Sequence, residues 1–291
     1  MTSIGYYLAL PFLYLISVLP FGFFYLLSDG ICFLFYRIIG YRKKVVHGNL
    51  KNAFPEKTEN ELDIIERKFY GYLVDLSMET LKTLTISKKT ALERCKMSEN
   101  AKHIFTDLYN NNKPCIIVMG HYGNWEWAGN TFSLVNKQQL YVIYHPLSNK
   151  YFDKLMYDMR TRFGSKLYPM KDTMKGMIKN RHEINATAFI ADQTPSPENA
   201  YWTTFLNQDT PVFWGTEKIA QKLNYTVVYA SVNLLKRGYY EINAEILHDN
   251  PKDTSEGVIS ELHTRRLEKD IISNPECWLW SHRRWKHQRR N

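Results

Sequence analysis

The alternation of short apolar runs with amphipathic stretches after residue 115 most limits how this chain can fold. Five runs rich in aliphatic and aromatic residues predict strands: Ile116–Met119, Leu140–Tyr144, Ala186–Ala191, Tyr225–Val232 and Tyr239–Ile246. Helical patterns lie between or after them: Asn124–Val135, Lys150–Arg162, Thr173–Asn180, Glu217–Leu223 and Ser255–Ile272. This order predicts an α/β fold in which helices flank a mixed, largely parallel central sheet, with an antiparallel pair of strands late in the chain.

The region before these strands adds one long helix. Apolar residues from Leu62 to Leu81 recur at mostly helical spacing after the polar stretch Pro55–Glu61. A chain of 291 residues lies at the upper end of what one domain usually reaches. We therefore predict a single α/β domain at 46–291, preceded at 1–45 by a membrane anchor and its basic flank.

The N-terminal segment carries no charged side chain before Asp29. As a helix, the apolar run Tyr6–Leu27 would extend roughly 33 Å, about the thickness of one hydrocarbon core. Pro11 and Pro20 would bend it, so a kinked or shallow insertion and a pair of buried apolar helices are alternatives. A second apolar run, Ile31–Ile39, follows a predicted break in the helix at residues 28–30. The N-terminal segment as a whole is therefore predicted to contain a membrane-associated hydrophobic helix.

Basic residues follow this segment and predict its orientation. They are Arg37, Arg42, Lys43 and Lys44. By the positive-inside rule, the remainder of the chain lies on the cytoplasmic side. A secretory signal peptide would start with a basic region, which this chain lacks.

The charge of the chain is concentrated at its end. Of a formal net charge of +9, five positive charges fall in the last nine residues: Arg283, Arg284, Lys286, Arg289 and Arg290. Such a patch suits lipid headgroups, an acidic carrier protein or nucleic acid, and a solvated tail is the alternative. Because no nucleic-acid-binding motif accompanies it, we predict no nucleic-acid partner. The four cysteines form no C-x-x-C pair, so neither a disulfide nor a zinc site is predicted.

One loop carries the residues of a general-base pair. His121 follows the first predicted strand, and Glu126 comes five residues later at the start of a predicted helix. A carboxylate that binds one imidazole nitrogen leaves the other nitrogen to accept a proton. Partners on one helix face lie three or four residues apart, so this spacing predicts a loop.

Other polar residues follow other predicted strands. They are His145, Asp192 and Gln193. Ligands of an α/β sheet collect beyond the carboxyl ends of its strands, so one cleft could hold His121, His145 and Asp192. A single carboxylate in such a place is more often a helix cap, which is the structural alternative for Asp192.

Several enzyme classes are excluded by missing motifs. The chain has no G-x-S-x-G elbow and no G-x-x-x-x-G-K-[ST] loop, and His182-Glu183 lacks the second histidine of zinc proteases. No metal site is predicted. A histidine base without a protein nucleophile indicates direct transfer to the hydroxyl of an acceptor. A thioester donor fits, because a thiolate leaves without strong acid assistance and the site need only stabilise the oxyanion.

The spacing of His121 and Glu126 matches the His-x4-Asp/Glu signature of the glycerolipid and lysophospholipid acyltransferase superfamily. The chain resembles, over nearly its full length, the late acyltransferases of lipid A biosynthesis, which add secondary acyl chains. The resemblance is carried by the N-terminal apolar segment and, in order, by Asn49-Leu50, Ala53-Phe54-Pro55-Glu56, Glu79, Arg162-Phe163-Gly164, Ala191-Asp192-Gln193-Thr194 and Trp278-x-Trp280-x-His282-Arg283-Arg284-Trp285.

The resemblance implies a membrane-associated O-acyltransferase on the cytoplasmic side of the inner membrane. It would move a fatty acyl chain from an acyl carrier protein or coenzyme A thioester to a hydroxyl of a lipid A precursor. No covalent acyl-enzyme forms, and no cofactor is expected besides this co-substrate. His121 would be the general base, oriented by Glu126, by Asp192 or by both.

The predicted substrate-binding residues are Asn124, Arg162, Lys171, Gln193, His282 and Arg283. Arg162 is the candidate for binding phosphate or the developing oxyanion, and the Trp/Arg ending is alternatively a structural cap on the sheet. Related enzymes acylate other membrane amphiphiles, so a lysophospholipid, aminolipid or glycolipid is an alternative acceptor. A membrane protein that binds lipid without turnover is the non-enzymatic alternative.

Overall fold

The computed structural model describes residues 3–289, and its centre is a mixed seven-stranded sheet. The strands of this sheet are β1 (Cys95–Met97), β2 (Cys115–Met119), β3 (Gln139–Tyr144), β4 (Lys166–Pro169), β5 (Asn185–Ile190), β8 (Thr226–Lys236) and β9 (Tyr239–His248). A separate hairpin consists of β6 (Ala200–Phe205) and β7 (Gln208–Phe213). The sheet order is β1-β9-β8-β2-β5-β3-β4, in which only the β8–β9 pair is antiparallel.

Helices pack on both faces of this sheet. The helices are α1 (Ser3–Val18), α2 (Phe21–Phe33), α3 (Lys43–Ala53), α4 (Glu59–Lys82), α5 (Lys88–Arg94), α6 (Glu99–Asn110), α7 (Trp125–Val135), α8 (Lys150–Thr161), α9 (Thr173–Lys179), α10 (Gly215–Leu223) and α11 (Val258–Ser273). Of these, α1, α2 and α3 pack on the helix α4. In β2, Ile117 packs in the cluster that contains α6 and α7, while Ile116 packs in the cluster that contains α10 and α11. This two-sided cover explains why all five residues of β2 are buried and apolar.

The fold class predicted from the sequence is confirmed. Each of the five predicted strands and five predicted helices is present, with ends displaced by a few residues. Four strands were not predicted. Two of them, β1 and β4, are short, and the other two, β6 and β7, are joined by a two-residue turn formed by Leu206 and Asn207. Both turn residues have positive φ without being glycine, so the turn lacks the usual glycine signal.

The long helix α4 starts at a capping box. The Thr58 side chain accepts from the backbone N–H of Glu61, and the Glu61 side chain accepts from the backbone N–H of Thr58.

The N-terminal apolar segment differs from its prediction. One uninterrupted helix over Tyr6–Leu27 is wrong, and the interruption expected at Pro20 is confirmed, because α1 ends at Val18 and α2 begins after Pro20; Pro11 lies inside α1. Proline lacks the N–H of a helix interior and takes an extended conformation at this junction. The break predicted at residues 28–30 is also wrong, since those residues lie inside α2. A π-helical segment, Leu34–Ile39, continues α2, so Phe21–Ile39 forms a continuous helical stretch of 19 residues that is long and apolar enough to cross a membrane.

Polar contacts fasten these helices to α4. The Tyr25 hydroxyl donates to Glu79 at 2.7 Å, and the Ser28 hydroxyl donates to Asp75 at 2.6 Å. The ammonium group of Lys82 donates to backbone carbonyl oxygens at the end of α1. Both apolar helices are thus tied to the α/β core by buried hydrogen bonds. The division into an anchor at 1–45 and a domain at 46–291 stays a prediction.

The C-terminal segment crosses the carboxyl end of the sheet after α11. Trp278 pairs with Tyr122 in an isolated β-bridge, and Trp278, Trp280 and Arg284 are almost fully buried. The segment therefore closes the end of the sheet at which β2 and β5 stop. Arg290, part of the predicted basic patch, lies outside the described residues.

Candidate active site

The parallel register of β2 and β5 brings His121 and Asp192 together. It pairs Met119 with Ile190, and the two polar residues follow these by two positions each. His121 Nδ1 lies 2.6 Å from Asp192 Oδ1, and the backbone N–H of His121 donates to Asp192 Oδ2 at 2.7 Å. A carboxylate at Nδ1 favours the tautomer that leaves Nε2 unprotonated. The pair therefore has the geometry of a base and its orienting acid.

The Asp192 carboxylate is held as an anion. The indole Nε1–H of Trp278 donates to its Oδ2 at 2.7 Å, which brings the number of hydrogen bonds to three. Burial raises the pKa of Asp192, but the proximity and hydrogen bonds of His121 and Trp278 outweigh it and lower the pKa to about 2. Asp192 is therefore charged throughout the physiological range.

The other face of the imidazole is turned to a large cavity. The His121 side chain retains 17% exposure, its Nε2 lies 3.3 Å from the side-chain amide of Gln193, and its ring meets Trp125 edge-on. His121, Gln193 and Trp125 all line the cavity, which has a volume of about 470 Å³. Nε2 is thus the imidazole atom that a bound substrate can reach.

Apolar side chains from the sheet and from α7 form most of this cavity. Examples are Ile117, Ala128, Gly129, Phe132, Leu140 and Val142. A Cβ at Gly129 would lie 3.9 Å from Leu140, so the missing side chain widens the cavity at that point. Apolar cavities with a few polar groups at one end are typical of sites for amphiphilic ligands.

Glu126 forms a pair with an arginine of α8. Arg160 Nε lies 3.0 Å from Glu126 Oε2, and Arg160 Nη2 lies 2.5 Å from Oε1. Both residues line the cavity. In the described part of the chain Glu126 makes no hydrogen bond to His121, so the structure gives the imidazole Asp192 as its carboxylate partner. A bidentate pair of this kind fixes the guanidinium in one orientation.

Asn124 has a structural role at the end of the loop that follows His121. It is fully buried and caps α7 by accepting from the backbone N–H of Trp127, while its Nδ2 donates to Glu79. Glu79 also accepts from the hydroxyls of Tyr25 and Tyr240, and burial raises the pKa of Glu79 to about 7. The prediction that Asn124 binds substrate is not supported by this position, because both ends of its amide are used inside the protein.

Two further predicted binding residues lie away from the cavity. Arg162 donates from Nη1 to the carbonyl oxygen of Thr83 and stacks on Phe163. Lys171 is exposed on the turn after β4, whereas its neighbour Met170 lines the cavity. Arg160, two positions before Arg162, occupies the place expected for a cavity arginine. One helical turn brings residues three or four apart together, so the side chains of residues 160 and 162 point in different directions.

His282 and Arg283 have different surroundings in the C-terminal segment: His282 is half-buried and Arg283 is exposed. His282 Nε2 is 3.3 Å from the Thr194 hydroxyl, and burial is the largest cause of its lowered pKa. Arg283 is exposed and lines a separate open groove of about 830 Å³ together with Lys44 and Lys286. Gln193 is therefore the one predicted binding residue that lines the cavity beside His121.

A glycine lets the loop approach the sheet closely. Gly123 has φ +65°, and a Cβ there would lie 1.8 Å from the carbonyl oxygen of Val232. The hydroxyl of Tyr72 donates to the Gly123 carbonyl at 2.6 Å. Only glycine fits both the conformation and the contact, so this residue fixes the path from His121 to Glu126.

The comparisons with known proteins agree with these motifs. The sequence profile described as bacterial lipid A biosynthesis acyltransferase matches residues 1–287. The chain is similar to the lipid A biosynthesis lauroyltransferase of Escherichia coli K12, with 25% identity over 96% of this chain and 90% of that protein. It is also similar to the lipid A biosynthesis myristoyltransferase of E. coli K12, with 22% identity over 54% of this chain and 48% of that protein. With the profile match over almost its whole length, the chain belongs to the bacterial lipid A biosynthesis acyltransferase family and is an acyltransferase.

Proposed function

We propose that this enzyme transfers a fatty acyl group from a thioester to a hydroxyl of a lipid A precursor, with His121 as general base. The observation that carries the proposal is the placement of the imidazole. Its Nδ1 is held by Asp192, and its Nε2 faces an apolar cavity. General bases act through a nitrogen that is free and within reach of the substrate hydroxyl.

The reaction proceeds without a covalent enzyme intermediate. Nε2 of His121 takes the proton of the acceptor hydroxyl while the hydroxyl oxygen attacks the thioester carbon. The tetrahedral oxyanion then collapses, the carbon–sulfur bond breaks, and the thiolate takes the proton back from the imidazolium. Asp192 stays ionised and stabilises the imidazolium that forms between these steps.

The acyl chain occupies the apolar cavity in this proposal. Its carbonyl end lies near His121, and its methyl end extends between the sheet and α7 past Gly129. Burying the chain removes apolar surface from water, at roughly 0.8 kcal/mol for each methylene group. The cavity thus holds the thioester carbon near the base through the part of the donor that does not react.

The cavity also offers hydrogen-bond donors for the oxyanion. Gln193 presents a side-chain amide 3.3 Å from His121 Nε2, and Arg160 presents a guanidinium held by Glu126. We assign oxyanion stabilisation to these two side chains and the positioning of Arg160 to Glu126. A single oriented donor of this kind contributes roughly 10²–10³ in rate.

The nature of the acceptor is inferred from the relatives. The two Escherichia coli relatives are a lipid A biosynthesis lauroyltransferase and a lipid A biosynthesis myristoyltransferase. A lipid A precursor is therefore the proposed acceptor, and a lysophospholipid, aminolipid or glycolipid is the alternative outcome of the test below. The donor is an acyl carrier protein or coenzyme A thioester.

The enzyme acts at the inner membrane, with its α/β part on the cytoplasmic side. Support comes from the outer face of α2, where Phe23 and Leu26 are 67% and 68% exposed. Exposed apolar side chains on a membrane-length helix suit lipid contact. The basic residues after Ile39 support the cytoplasmic orientation. The groove beside Arg283 has the charge to contact the anionic part of a substrate or donor.

The test is acyl transfer by purified enzyme in detergent or vesicles. A lipid A precursor is incubated with the acyl thioester of acyl carrier protein in one arm and with acyl-coenzyme A in another, and products are identified by mass. We expect one added acyl chain, and at least about 10³-fold slower turnover for His121→Ala. His103→Ala, on the exposed face of α6, is the matched control. Full turnover by His121→Ala would refute the base assignment, and acylation of another lipid alone would change the acceptor.

A further inference from the structure

A small cavity lies directly behind the carboxylate that holds His121. The volume open to the centre of a water molecule is about 10 Å³. Its lining includes Asp192, His263 of α11 and Arg284 of the C-terminal segment, among apolar side chains. A volume of roughly 10–15 Å³ with two to four polar partners is what one buried water requires.

Arg284 brings an incompletely bonded cation to this cavity. Its side chain is 1% exposed, and Nη2 donates to the carbonyl oxygen of Pro211 at 2.7 Å. Nε and Nη1 are buried and have no hydrogen-bond partner among the described residues. Leaving such donors unsatisfied is costly, because burial has removed them from bulk water.

Two other polar groups of the lining have unused hydrogen-bonding capacity. Nε2 of His263 is buried without a partner in the described chain, and burial lowers the pKa of His263 to about 4. Asp192 accepts three hydrogen bonds, whereas a carboxylate offers about four acceptor positions. A water between them could accept from Arg284 and donate to Asp192, with His263 as its third partner.

We propose that this cavity binds one structural water that joins Arg284 and His263 to Asp192, and that Arg284 is a positioning residue for the His121–Asp192 pair. The proposal rests on the proposed function only for its effect on turnover. Arg284 and Asp192 lie too far apart for a direct ion pair, and a bridging water transmits their interaction at little entropic cost. Arg284 thus balances the charge of a carboxylate that the apolar interior would otherwise disfavour.

This arrangement has a consequence for protonation of the pair. The titratable and charged groups around Asp192 and its neighbours include His121, His263, His282, Arg284 and Lys286. Tyr229 also lines the cavity, and its hydroxyl donates to Asp270. Removing the positive charge of Arg284 makes proton uptake by the His121–Asp192 pair more favourable. Because a protonated imidazole cannot act as base, activity would then be lost at a higher pH.

The first experiment looks for the water directly. A crystal structure of the wild-type enzyme, at a resolution that shows ordered water, should contain one water within hydrogen-bond distance of Arg284 and Asp192. The result does not depend on any assayed activity. A dry cavity, or a direct Arg284–Asp192 contact, overturns the proposal.

The second experiment compares Arg284→Gln with Arg284→Lys. The pH dependence of kcat/KM is measured for both variants and the wild type, with thermal melting as the folding control. We expect the acid limb of Arg284→Gln to move up by about one pH unit, which lowers kcat/KM by up to about tenfold at pH values below that limb. Arg284→Lys keeps the charge and should keep the limb near its wild-type position.

The outcomes distinguish a failure of the proposed role of Arg284 from a failure of the proposed role of His121. A folded Arg284→Gln enzyme whose acid limb coincides with that of the wild type refutes the positioning role. A His121→Ala enzyme with full turnover refutes the proposed base but leaves the result on the buried water intact. If Arg284→Gln does not fold, the wild-type crystal structure and the Arg284→Lys profile still decide: a dry cavity, or a displaced Arg284→Lys limb, counts against the proposal.

Discussion

Replacing Asp192 with asparagine tests the assignment of the orienting carboxylate most directly. The change keeps the shape of the side chain and exchanges one acceptor oxygen for an NH₂ donor. Oδ2 accepts from the backbone N–H of His121 and from the indole of Trp278, whereas the hydrogen-bond partner of Oδ1 among residues 3–289 is Nδ1 of His121. The amide oxygen of asparagine therefore takes the place of Oδ2, and its NH₂ faces Nδ1.

This geometry predicts a large kinetic effect with little change in the fold. An NH₂ donor at Nδ1 favours the tautomer that carries its proton on Nε2, and such an imidazole cannot accept a proton from the substrate. We expect Asp192→Asn to lower kcat by about 10³–10⁴, which corresponds to roughly 4–5.5 kcal/mol of transition-state stabilisation. The thermal melting temperature should change much less than kcat.

The assay is steady-state acyl transfer, with Glu126→Gln measured alongside. Glu126 acts on Arg160 in our interpretation, so Glu126→Gln and Arg160→Met should affect the same interaction. In a double-mutant cycle their effects should be far from additive, whereas Asp192→Asn and Arg160→Met should combine almost additively. If Asp192→Asn keeps near wild-type kcat while Glu126→Gln loses it, the assignment of Asp192 as the orienting carboxylate is wrong.

Three further predictions concern stability, chain length and membrane binding. Burial raises the pKa of Glu79 from 4.5 to about 7, so the folded state keeps this proton between those values and the unfolded state does not. The contribution of Glu79 to the free energy of unfolding is complete below pH 4.5 and decreases by about 3 kcal/mol as the pH rises through 7. Glu79→Gln should therefore show a smaller difference in unfolding free energy between pH 5 and pH 8, measured by denaturant titration. Gly129→Leu should shorten the preferred acyl chain, with a loss of about tenfold or more for the longest donor, while Gly129→Ala changes little; an unaltered chain profile would place the acyl group elsewhere. Phe23→Glu with Leu26→Glu should weaken vesicle binding about tenfold or more, and unchanged sedimentation with vesicles would contradict lipid contact by this face.

The alternation of strands and helices was sufficient to predict five of the seven strands of the sheet, because these strands are apolar runs, whereas β1 and β4 are too short to give such a pattern. The position of Asp192 after one such run also made it a candidate partner of His121. Deciding between Asp192 and Glu126 required the register of β2 and β5, which places Asp192 two residues past the partner of Met119. Strand register depends on contacts between residues about seventy positions apart, and no local pattern records it.

Other site predictions were limited for related reasons. Asn124 has the residue type of a substrate ligand, but its role as a helix cap depends on the buried Glu79 from a distant helix. Arg160 and Arg162 are equally basic in sequence, and only the packing of α8 turns residue 160 toward Glu126. The helix break at Pro20 followed from proline chemistry, whereas Ser28 lies inside α2 and donates its hydroxyl to Asp75 of α4, a long-range contact that no local pattern records.

The hydrogen bonds between α2 and the core fix the position of the active site relative to this apolar helix. Tyr25 and Asn124 donate hydrogen bonds to the same side chain, that of Glu79, so this residue joins the apolar helix to the loop after His121. With α2 in the bilayer as proposed, His121 cannot be raised or lowered on a flexible tether. The depth of the acceptor hydroxyl below the headgroups then decides whether it meets Nε2. Bilayer thickness, varied with lipids of shorter or longer chains, should therefore alter turnover even when the acceptor is unchanged.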